Sequence, residues 1–270
     1  MLDLAAYMQR IEYAGDPGAD EATLTALHIA HATHIPFENL DILLGRPISL
    51  ELARVQSKLV QQRRGGYCFE QNMLFAAVLR KLGFSVTALA ARVRQQQTTL
   101  LPRTHMCLRV RVKDQDWIAD VGFGGEGLLM PVPMTGQSMR QFLWTYRVLK
   151  EAPGVWVLQA ERDQVWGDLY AFSLEPQEDI DFEVANYYVS THPQSRFVRT
   201  LTVQLPAPER RQILRDRELT IDSGNNFETT VIDNDEDLLD VLRNNFDLDF
   251  PRGTMFKCGL DKRRDEIDCR

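Results

Sequence analysis

The chain has 270 residues, of which 44% are hydrophobic, so it can bury the core of one large domain or of two to three small ones. Its 38 acidic and 31 basic residues give a formal net charge of −7, which argues against a nucleic-acid partner because binding phosphates requires a basic surface. The short basic clusters are interpreted as solvated faces, with a phosphorylated small molecule as the alternative for those on strands.

The N-terminal segment and the cysteines bear on location. The segment carries Asp3 and Glu12, has helical spacing and lacks the basic start of a secretory signal. No apolar run approaches the length needed to cross a bilayer, so we expect no membrane partner. The four cysteines are Cys68, Cys107, Cys258 and Cys269. They form neither a disulfide framework nor a CxxC metal motif, which predicts reduced thiols in a cytoplasmic protein. The sequence carries no mark of an oligomeric state.

The first third of the chain is predicted to be helical. The expected helices span residues 2–13, 20–34 with Asp20 as the N-cap, 50–61 with Ser49 as the N-cap, and 68–83 with Gly83 as the stop. The segment IPFENLDILLGRP, between the second and third helices, contains too many turn-forming residues for a helix.

From Ser85 onward the hydrophobic period changes from helical to alternating. The predicted strands are SVTALAARVR, HMCLRVRV, DWIADVG, FLWTYRVL, VWVLQAER and DLYAFSL, and then, after a helix over residues 178–189, RFVRTLTVQL, RELTI and FETTVI. A last amphipathic helix follows in DEDLLDVLRNNF, and PAPER, at 206–210, is the nearest thing to a linker. We predict an α+β chain with a helical domain over residues 1–83, a β domain over 84–190, and an interdomain segment with a smaller α/β domain over 191–270.

Cys68 is the residue best suited to chemistry in the helical region. In GGYCFEQN it lies where the fourth helix begins, so unpaired backbone N–H groups and the helix dipole favour its thiolate. The preceding glycines let a substrate approach the backbone, and the N–H of Cys68 is placed to stabilise an oxyanion. Glu70 is interpreted as a helix residue that suits the dipole and not as a catalyst. Cys107 is interpreted as a buried free thiol.

A nucleophilic thiol requires a base, and the chain has five histidines. His105 opens one predicted strand and Asp120 ends the next, so thiol, imidazole and carboxylate follow in an order consistent with a catalytic triad. If the hairpin turn is centred within KDQD, simple pairing puts Asp120 opposite Arg109, roughly 13 Å along the strand from His105. Contact between the two then requires a shifted register or a β-bulge.

The other histidines are given no catalytic role. His28, His31 and His34 share one face of the second helix, but no cysteine or carboxylate with ligand spacing accompanies them. Partly exposed packing is therefore favoured over a metal site. His192 precedes a proline and is expected to shape a turn.

Five segments together resemble the bacterial arylamine N-acetyltransferase family: HIPFENLDI, RRGGYCFEQN, THMCLRV, WIADVGFGG and HPQSRFVRTLTV. They follow in the family's order over most of residues 30–205. The resemblance implies the papain-like group of thiol enzymes, with an N-terminal helical bundle, a central β barrel and a C-terminal α/β lid. It implies that Cys68 accepts the acetyl group, that His105 is its base, and that Asp120 orients the imidazole. The lid is assigned by position only.

The resemblance also implies the substrates. Acetyl-CoA is the expected donor, no metal is expected, and the acceptor is a small aromatic amine, hydroxylamine or hydrazine. Phe37 and Phe123 are expected to line the acceptor pocket, although aromatic residues as a class are more often core. Thr104, Gly124 and Gly125 are expected to contact coenzyme A. Transfer to Cys68 exchanges one thioester for another, so ping-pong kinetics are expected, with CoA leaving before the amine enters.

Three other functions stay open on the sequence. A related amide synthase would move a larger acyl group onto an amine. A cysteine hydrolase of the papain or transglutaminase type would use the same three residues without a CoA site. A binding protein would keep Cys68 as an inert buried thiol that resists alkylation.

Overall fold

A computed structural model describes residues 2–95, 99–224 and 226–257. The helices are α1 (Leu4–Arg10), α2 (Glu21–His34), α3 (Leu40–Leu43), α4 (Leu52–Gln56), α5 (Cys68–Lys81), α6 (Asp179–Thr191), α7 (Arg196–Arg199) and α8 (Asp235–Phe246). The strands are β1 (Phe37–Glu38), β2 (Ser85–Val93), β3 (His105–Val112), β4 (Gln115–Ala119), β5 (Val132–Pro133), β6 (Met139–Gln141), β7 (Trp144–Ala152), β8 (Val155–Arg162), β9 (Val165–Phe172), β10 (Thr202–Pro206), β11 (Arg211–Arg215), β12 (Glu218–Asp222) and β13 (Phe227–Val231). Cys258 and Cys269 lie outside the described residues.

The N-terminal helices pack around α5, whose inner face is buried. Asp20 caps α2 as predicted, since its Oδ1 accepts the Thr23 N–H at 2.8 Å. Gly83 follows the end of α5 with a φ of +91°, the left-handed conformation expected of a glycine stop. The first helix is shorter than predicted because Glu12 takes a φ of +55°. The predicted third helix begins later than expected, as α4 at Leu52 with Glu51 and not Ser49 as the N-cap, and it continues as one π-helical turn over Ser57–Gln61.

Strands β2 to β9 form an eight-stranded sheet in the order β5-β4-β3-β2-β9-β8-β7-β6, with antiparallel pairing throughout. Just after β5, the Gly136 N–H donates to the carbonyl of Val148 in β7 at 3.1 Å, so the two ends of the sheet meet. The predicted barrel is therefore present as a nearly closed sheet. Its interior is filled by apolar side chains that include Leu89, Ile118 and Leu158.

A second, five-stranded sheet has the order β1-β10-β11-β12-β13. Strand β1 comes from the helical region and pairs with β10, where Phe37 lies opposite Gln204. Helix α8 covers this sheet with Leu238, Leu242 and Phe246, which belong to a second apolar core. The predicted smaller α/β unit is thus present, and its role as a lid stays a prediction.

Several predicted elements in the connecting segments were wrong. PAPER is not a linker but the hairpin turn between β10 and β11, closed by the Ala207 N–H on the Arg210 carbonyl at 2.8 Å. The first half of RFVRTLTVQL is the short helix α7, because the Ser195 side chain caps it by accepting the Phe197 N–H at 3.3 Å. The segment IPFENLDILLGRP contains β1 and the single turn α3.

The domain boundaries at 83/84 and 190/191 stay a prediction; the second falls inside the last turn of α6. Within the described residues, no helix combines the length and the apolar character that a membrane crossing requires.

Candidate active site

Cys68 is the first residue of α5 and faces a cavity of about 290 Å³. Its relative exposure is 4%, and it is one of the residues that line the cavity. The Thr104 carbonyl lies 3.8 Å from the Cys68 Sγ. The start of the helix is fixed by Glu70, whose Oε2 accepts the Tyr67 N–H at 3.1 Å. The thiol is therefore held at a helix N-terminus, as the sequence predicts.

Glu70 has a second contact that the sequence interpretation did not anticipate. Its side chain is buried and its Oε1 accepts a hydrogen bond of 2.8 Å from the Lys58 Nζ. Burial raises the pKa of the Glu70 carboxyl, and Lys58 opposes that shift. Lys58 also lies 3.0 Å from Asp41, and Arg64 donates to Glu38 at 2.7 Å. This buried ion cluster ties the loop before Cys68 to the segment around β1.

His105 and Asp120 are brought into direct contact: the His105 Nε2 lies 2.7 Å from the Asp120 Oδ2. The pairing of β3 with β4 sets Leu108 opposite Ala119. Continued by one step, this register places Asp120 level with Cys107, two residues from His105, where simple pairing gave four. The contact depends on a shifted register, as predicted, and β3 and β4 pair in that register without a bulge.

Asp120 accepts two further hydrogen bonds. Its Oδ1 accepts 2.9 Å hydrogen bonds from the Asn72 side chain and from the Gly122 N–H. Asn72 also donates to the Met106 carbonyl at 2.8 Å and accepts the Val121 N–H at 3.2 Å. Asn72 was not among the predicted site residues. The signal was available, because Asn72 follows Cys68 by four residues and such residues share a helix face.

Gly122 lies directly against the backbone of Cys68. A Cβ added at Gly122 would fall 2.8 Å from the Cys68 Cα and 2.7 Å from the Asn72 Nδ2. The segment after Asp120 can approach the start of α5 this closely only because residue 122 is a glycine.

His28 holds the backbone at both ends of this segment. Its Nε2 accepts the Asp120 N–H at 3.0 Å, and its Nδ1 therefore carries the proton that is donated to the Leu129 carbonyl at 3.0 Å. Burial lowers the pKa of His28 to about 4, which keeps the ring neutral. Sequence reasoning missed this role because the contact joins residues far apart in the chain.

The row of histidines on α2 differs from the prediction. His28 and His31 have no exposed surface, so partly exposed packing is wrong for both, and only His34 is partly exposed. His31 bridges the Tyr7 hydroxyl at 2.8 Å and the Gln71 side chain at 2.7 Å. The cause is that both rings pack edge-on against Phe75 of α5, within the core.

His105 and Asp120 each stabilise the charged form of the other. Burial acts to lower the pKa of His105, but the charge and hydrogen bond of Asp120, with a further contribution from Cys68, raise it to about 10. Burial acts to raise the pKa of Asp120, but His105, Asn72 and the Gly122 N–H hold it below the ordinary value. At neutral pH the pair is an imidazolium and a carboxylate.

The cavity beside Cys68 has aromatic walls. Phe37 and Phe123 both line it, together with His105 and Thr104. The Phe123 ring lies edge-on to the His105 ring, with centroids 5.2 Å apart. A further lining residue, Phe197, packs on Phe37 at a centroid distance of 5.8 Å; the sequence analysis missed it because it assigned that segment to a strand.

The glycines predicted to contact coenzyme A are not among the residues lining this cavity. Gly125 instead donates its N–H to the Gln204 side chain at 2.5 Å and accepts a hydrogen bond from Arg211. Gly124 packs against the same Gln204 side chain. The loop is thus held by β10 and β11 of the second sheet.

Comparisons with known proteins identify the family. A family profile described as N-acetyltransferase matches residues 20–255. An arylamine N-acetyltransferase from Mycolicibacterium smegmatis is 40% identical over 255 residues, which cover 92% of each chain. One from Escherichia coli is 44% identical over 193 residues, which cover 71% of this chain and 68% of the relative.

Solved structures of arylamine N-acetyltransferases have the same fold as this chain. The arylamine N-acetyltransferase from Salmonella typhimurium has a TM-score of 0.88 at 33% identity, covering 98% of this chain and 99% of that one. The Mycobacterium marinum arylamine N-acetyltransferase in complex with CoA has a TM-score of 0.86 at 35% identity, covering 91% and 92%. The chain belongs to the arylamine N-acetyltransferase family and is an acyltransferase.

Proposed function

We propose that this protein transfers an acetyl group from acetyl-CoA to small aromatic amines, hydroxylamines or hydrazines through an acetyl-Cys68 intermediate. The observation that carries the proposal is the His105 to Asp120 contact of 2.7 Å beside a cavity that Cys68 also lines. The order of nucleophile, base and acid also supports a place in the papain-like group of thiol enzymes.

In the first half-reaction the Cys68 thiolate attacks the carbonyl carbon of acetyl-CoA. The tetrahedral oxyanion is stabilised by the N–H of Cys68 at the positive end of α5. When the intermediate collapses, the bond from carbon to the CoA sulfur breaks, and the His105 imidazolium gives its proton to that sulfur. CoA leaves as the free thiol, and the enzyme keeps a thioester.

In the second half-reaction His105 acts as a base. Acetylation removes the negative charge of Cys68, which is one of the causes that raise the pKa of His105. The neutral imidazole formed in the first step then takes a proton from the amine as the amine attacks the thioester. The bond from carbon to Cys68 breaks, the amide leaves, and the thiolate and imidazolium are restored. Asp120 keeps the imidazole in the required tautomer throughout.

The walls of the cavity support an aromatic acceptor. Phe37, Phe123 and Phe197 present apolar faces against which a ring can stack, close to the thioester on Cys68. On the donor side, Thr104 lines the same cavity, and the Mycobacterium marinum relative was solved in complex with CoA. Contacts from Gly124 and Gly125 to coenzyme A stay a prediction.

The proposal is tested by mixing the protein with acetyl-CoA alone and measuring its intact mass. We expect one acetyl group per chain and none in Cys68→Ala. Cys107→Ala is the matched control, because Cys107 is fully buried in the barrel and should leave acetylation unchanged. A wild-type protein that stays unmodified contradicts the proposal.

The same experiment separates the other functions. Modification by a longer acyl-CoA but not by acetyl-CoA indicates an amide synthase. Release of an amine or ammonia from amide substrates without any acyl-CoA indicates a hydrolase. Failure of iodoacetamide to alkylate Cys68 near neutral pH indicates an inert thiol.

A further inference from the structure

One wall of the cavity beside Cys68 carries a positive charge that the proposed reaction does not use. Among the described residues that line this cavity, Arg196 carries the only positive charge apart from that of His105. Arg196 takes part in none of the ion pairs found between described residues. The cavity wall therefore carries a cation and no carboxylate.

Arg196 lies at the start of a short helix, beside the aromatic wall of the cavity. It is the first residue of α7, which Ser195 caps. Its guanidinium carbon lies 5.3 Å from the centroid of the Phe197 ring, and that ring packs on Phe37 and on Tyr67, each at 5.8 Å. The Arg196 guanidinium thus lies at the edge of the aromatic wall against which an acceptor ring would stack.

The charge is also poorly compensated by neighbouring groups. Arg196 is exposed at the rim of the cavity, and the groups around it do not favour its charge, because loss of water around the guanidinium and then the positive charge of Arg215 lower its pKa. A group in this situation gains from an anionic partner. An arginine fork matches the two oxygens of a carboxylate in particular.

We propose that Arg196 makes this enzyme selective for aromatic amines that carry a carboxylate on the ring, such as aminobenzoates, by pairing with that carboxylate at the edge of the cavity. The inference rests on the proposed function, since it takes the acceptor to bind beside Cys68. Arg196 is a specificity-determining residue in this account and takes no part in the chemical steps.

The phosphates of CoA are the other source of negative charge that must be considered. The cavity that Arg196 shares with Cys68 measures about 290 Å³. A space of this size admits one substituted ring or the thioester end of the donor in turn, whereas the adenosine and phosphates of CoA need a much larger surface and lie outside it. The dimensions favour the acceptor over the donor.

The test compares 4-aminobenzoate with its neutral analogue 4-aminobenzamide. The ratio of kcat/KM for the two acceptors is measured in the wild type, in Arg196→Gln and in Arg199→Gln. Comparing the ratio between variants removes the difference in intrinsic reactivity of the two amines. Arg199 is the matched control because it lies on the same short helix, is exposed, and does not line the cavity.

We expect the ratio to fall about tenfold in Arg196→Gln, which is the size of one charge-assisted contact, and to keep its wild-type value in Arg199→Gln. An unchanged ratio in Arg196→Gln overturns the proposal. If the rate of Cys68 acetylation by acetyl-CoA falls while the ratio is unchanged, the cation serves the donor instead, and the proposal is equally overturned.

A binding measurement keeps this test independent of catalysis. Dissociation constants of the two ligands for the unacetylated protein are measured by calorimetry, which requires no acetyl transfer. A preference for 4-aminobenzoate that is lost in Arg196→Gln supports the inference even if the transfer activity fails. The absence of any preference in the wild type overturns it even if the transfer activity is found.

Discussion

At the scale of single residues, the candidate site depends on how completely Asp120 is bound. Its two oxygens accept hydrogen bonds from His105, Asn72 and the Gly122 N–H, and its own N–H is bound by His28. A buried carboxylate that accepts three hydrogen bonds from separate parts of the chain is held in one orientation, and it holds the imidazole in turn.

We expect Asp120→Asn to lose at least about a thousandfold in kcat, because an amide at this position cannot hold the required tautomer of His105 or stabilise its charged form. The fold should remain, since an asparagine has nearly the same shape. Steady-state kinetics and a thermal unfolding curve measure the two effects. Asp114→Asn, at a fully exposed turn of the same hairpin, is the control and should keep full activity. Turnover near the wild-type rate in Asp120→Asn would exclude the proposed role.

The sequence was informative about residues whose place depends on local structure. Cys68 was predicted from the glycines and the helix start, and His105 and Asp120 from the ends of strands. Asn72 required only the helical spacing from Cys68. The roles of His28 and Arg211 depend on contacts with backbone carbonyls distant in the chain, and no local pattern indicates such contacts.

At the scale of elements, α2 carries two fully buried histidines that face α5. Burial lowers the pKa of His28 to about 4 and that of His31 to about 3, whereas a histidine in the unfolded chain titrates near about 6.5. Between these values the unfolded chain binds more protons than the folded one. The stability contributed by keeping the rings neutral is therefore complete above about pH 6.5 and is lost as the pH falls towards 4 and below.

We expect His31→Gln to be less stable than the wild type at pH 7.5, because the substitution disturbs the hydrogen bonds by which His31 joins Tyr7 to Gln71. Its free energy of unfolding should fall less steeply between pH 6.5 and 4.5, by about 1 kcal/mol per pH unit. Urea unfolding at several pH values measures both quantities, with His192→Gln, at the end of α6, as the control. Parallel curves for the wild type and His31→Gln would contradict the account.

Elements with a clear hydrophobic periodicity were predictable from the sequence, whereas short elements were not. The alternation in β2, β3, β7 and β8 indicated their strands. Strand β11 was missed because its five residues have an arginine at each end, and one of them, Arg211, is buried. A buried arginine is rare unless it is paired, and the partners of Arg211 are distant in the chain: Tyr146 of the barrel and Gly125 of the loop after β4.

At the scale of the whole molecule, Arg211 connects the second sheet to the barrel. It donates to the Gly125 carbonyl and, at 2.7 Å, to the Tyr146 hydroxyl, and its guanidinium carbon lies 3.9 Å from the centroid of the Trp144 ring. Strand β1 makes a second connection, between the helical region and β10. The sequence predicted three successive units, but it could not show these connections, because pairing partners distant in the chain leave no local pattern.

We expect Arg211→Ala to lower the free energy of unfolding by about 3 kcal/mol, because it leaves buried acceptors without a donor and removes the contact with Trp144. Arg215→Ala, at the exposed end of the same strand, should change it by no more than about 0.5 kcal/mol. Chemical denaturation measures both. Equal losses in the two variants would mean that the connection does not stabilise the assembly of the two sheets.

The central claim is that the acetyl group passes through Cys68. Its most direct measurement uses the protein acetylated by acetyl-CoA, freed of CoA by gel filtration, and mixed with 4-aminobenzoate in a rapid-quench instrument. The account predicts that the acetyl group leaves Cys68 at a rate no slower than kcat and appears in an equal amount of acetylated amine. An acetyl-enzyme that persists in the presence of the amine for many turnover times, while steady-state transfer continues, would contradict it.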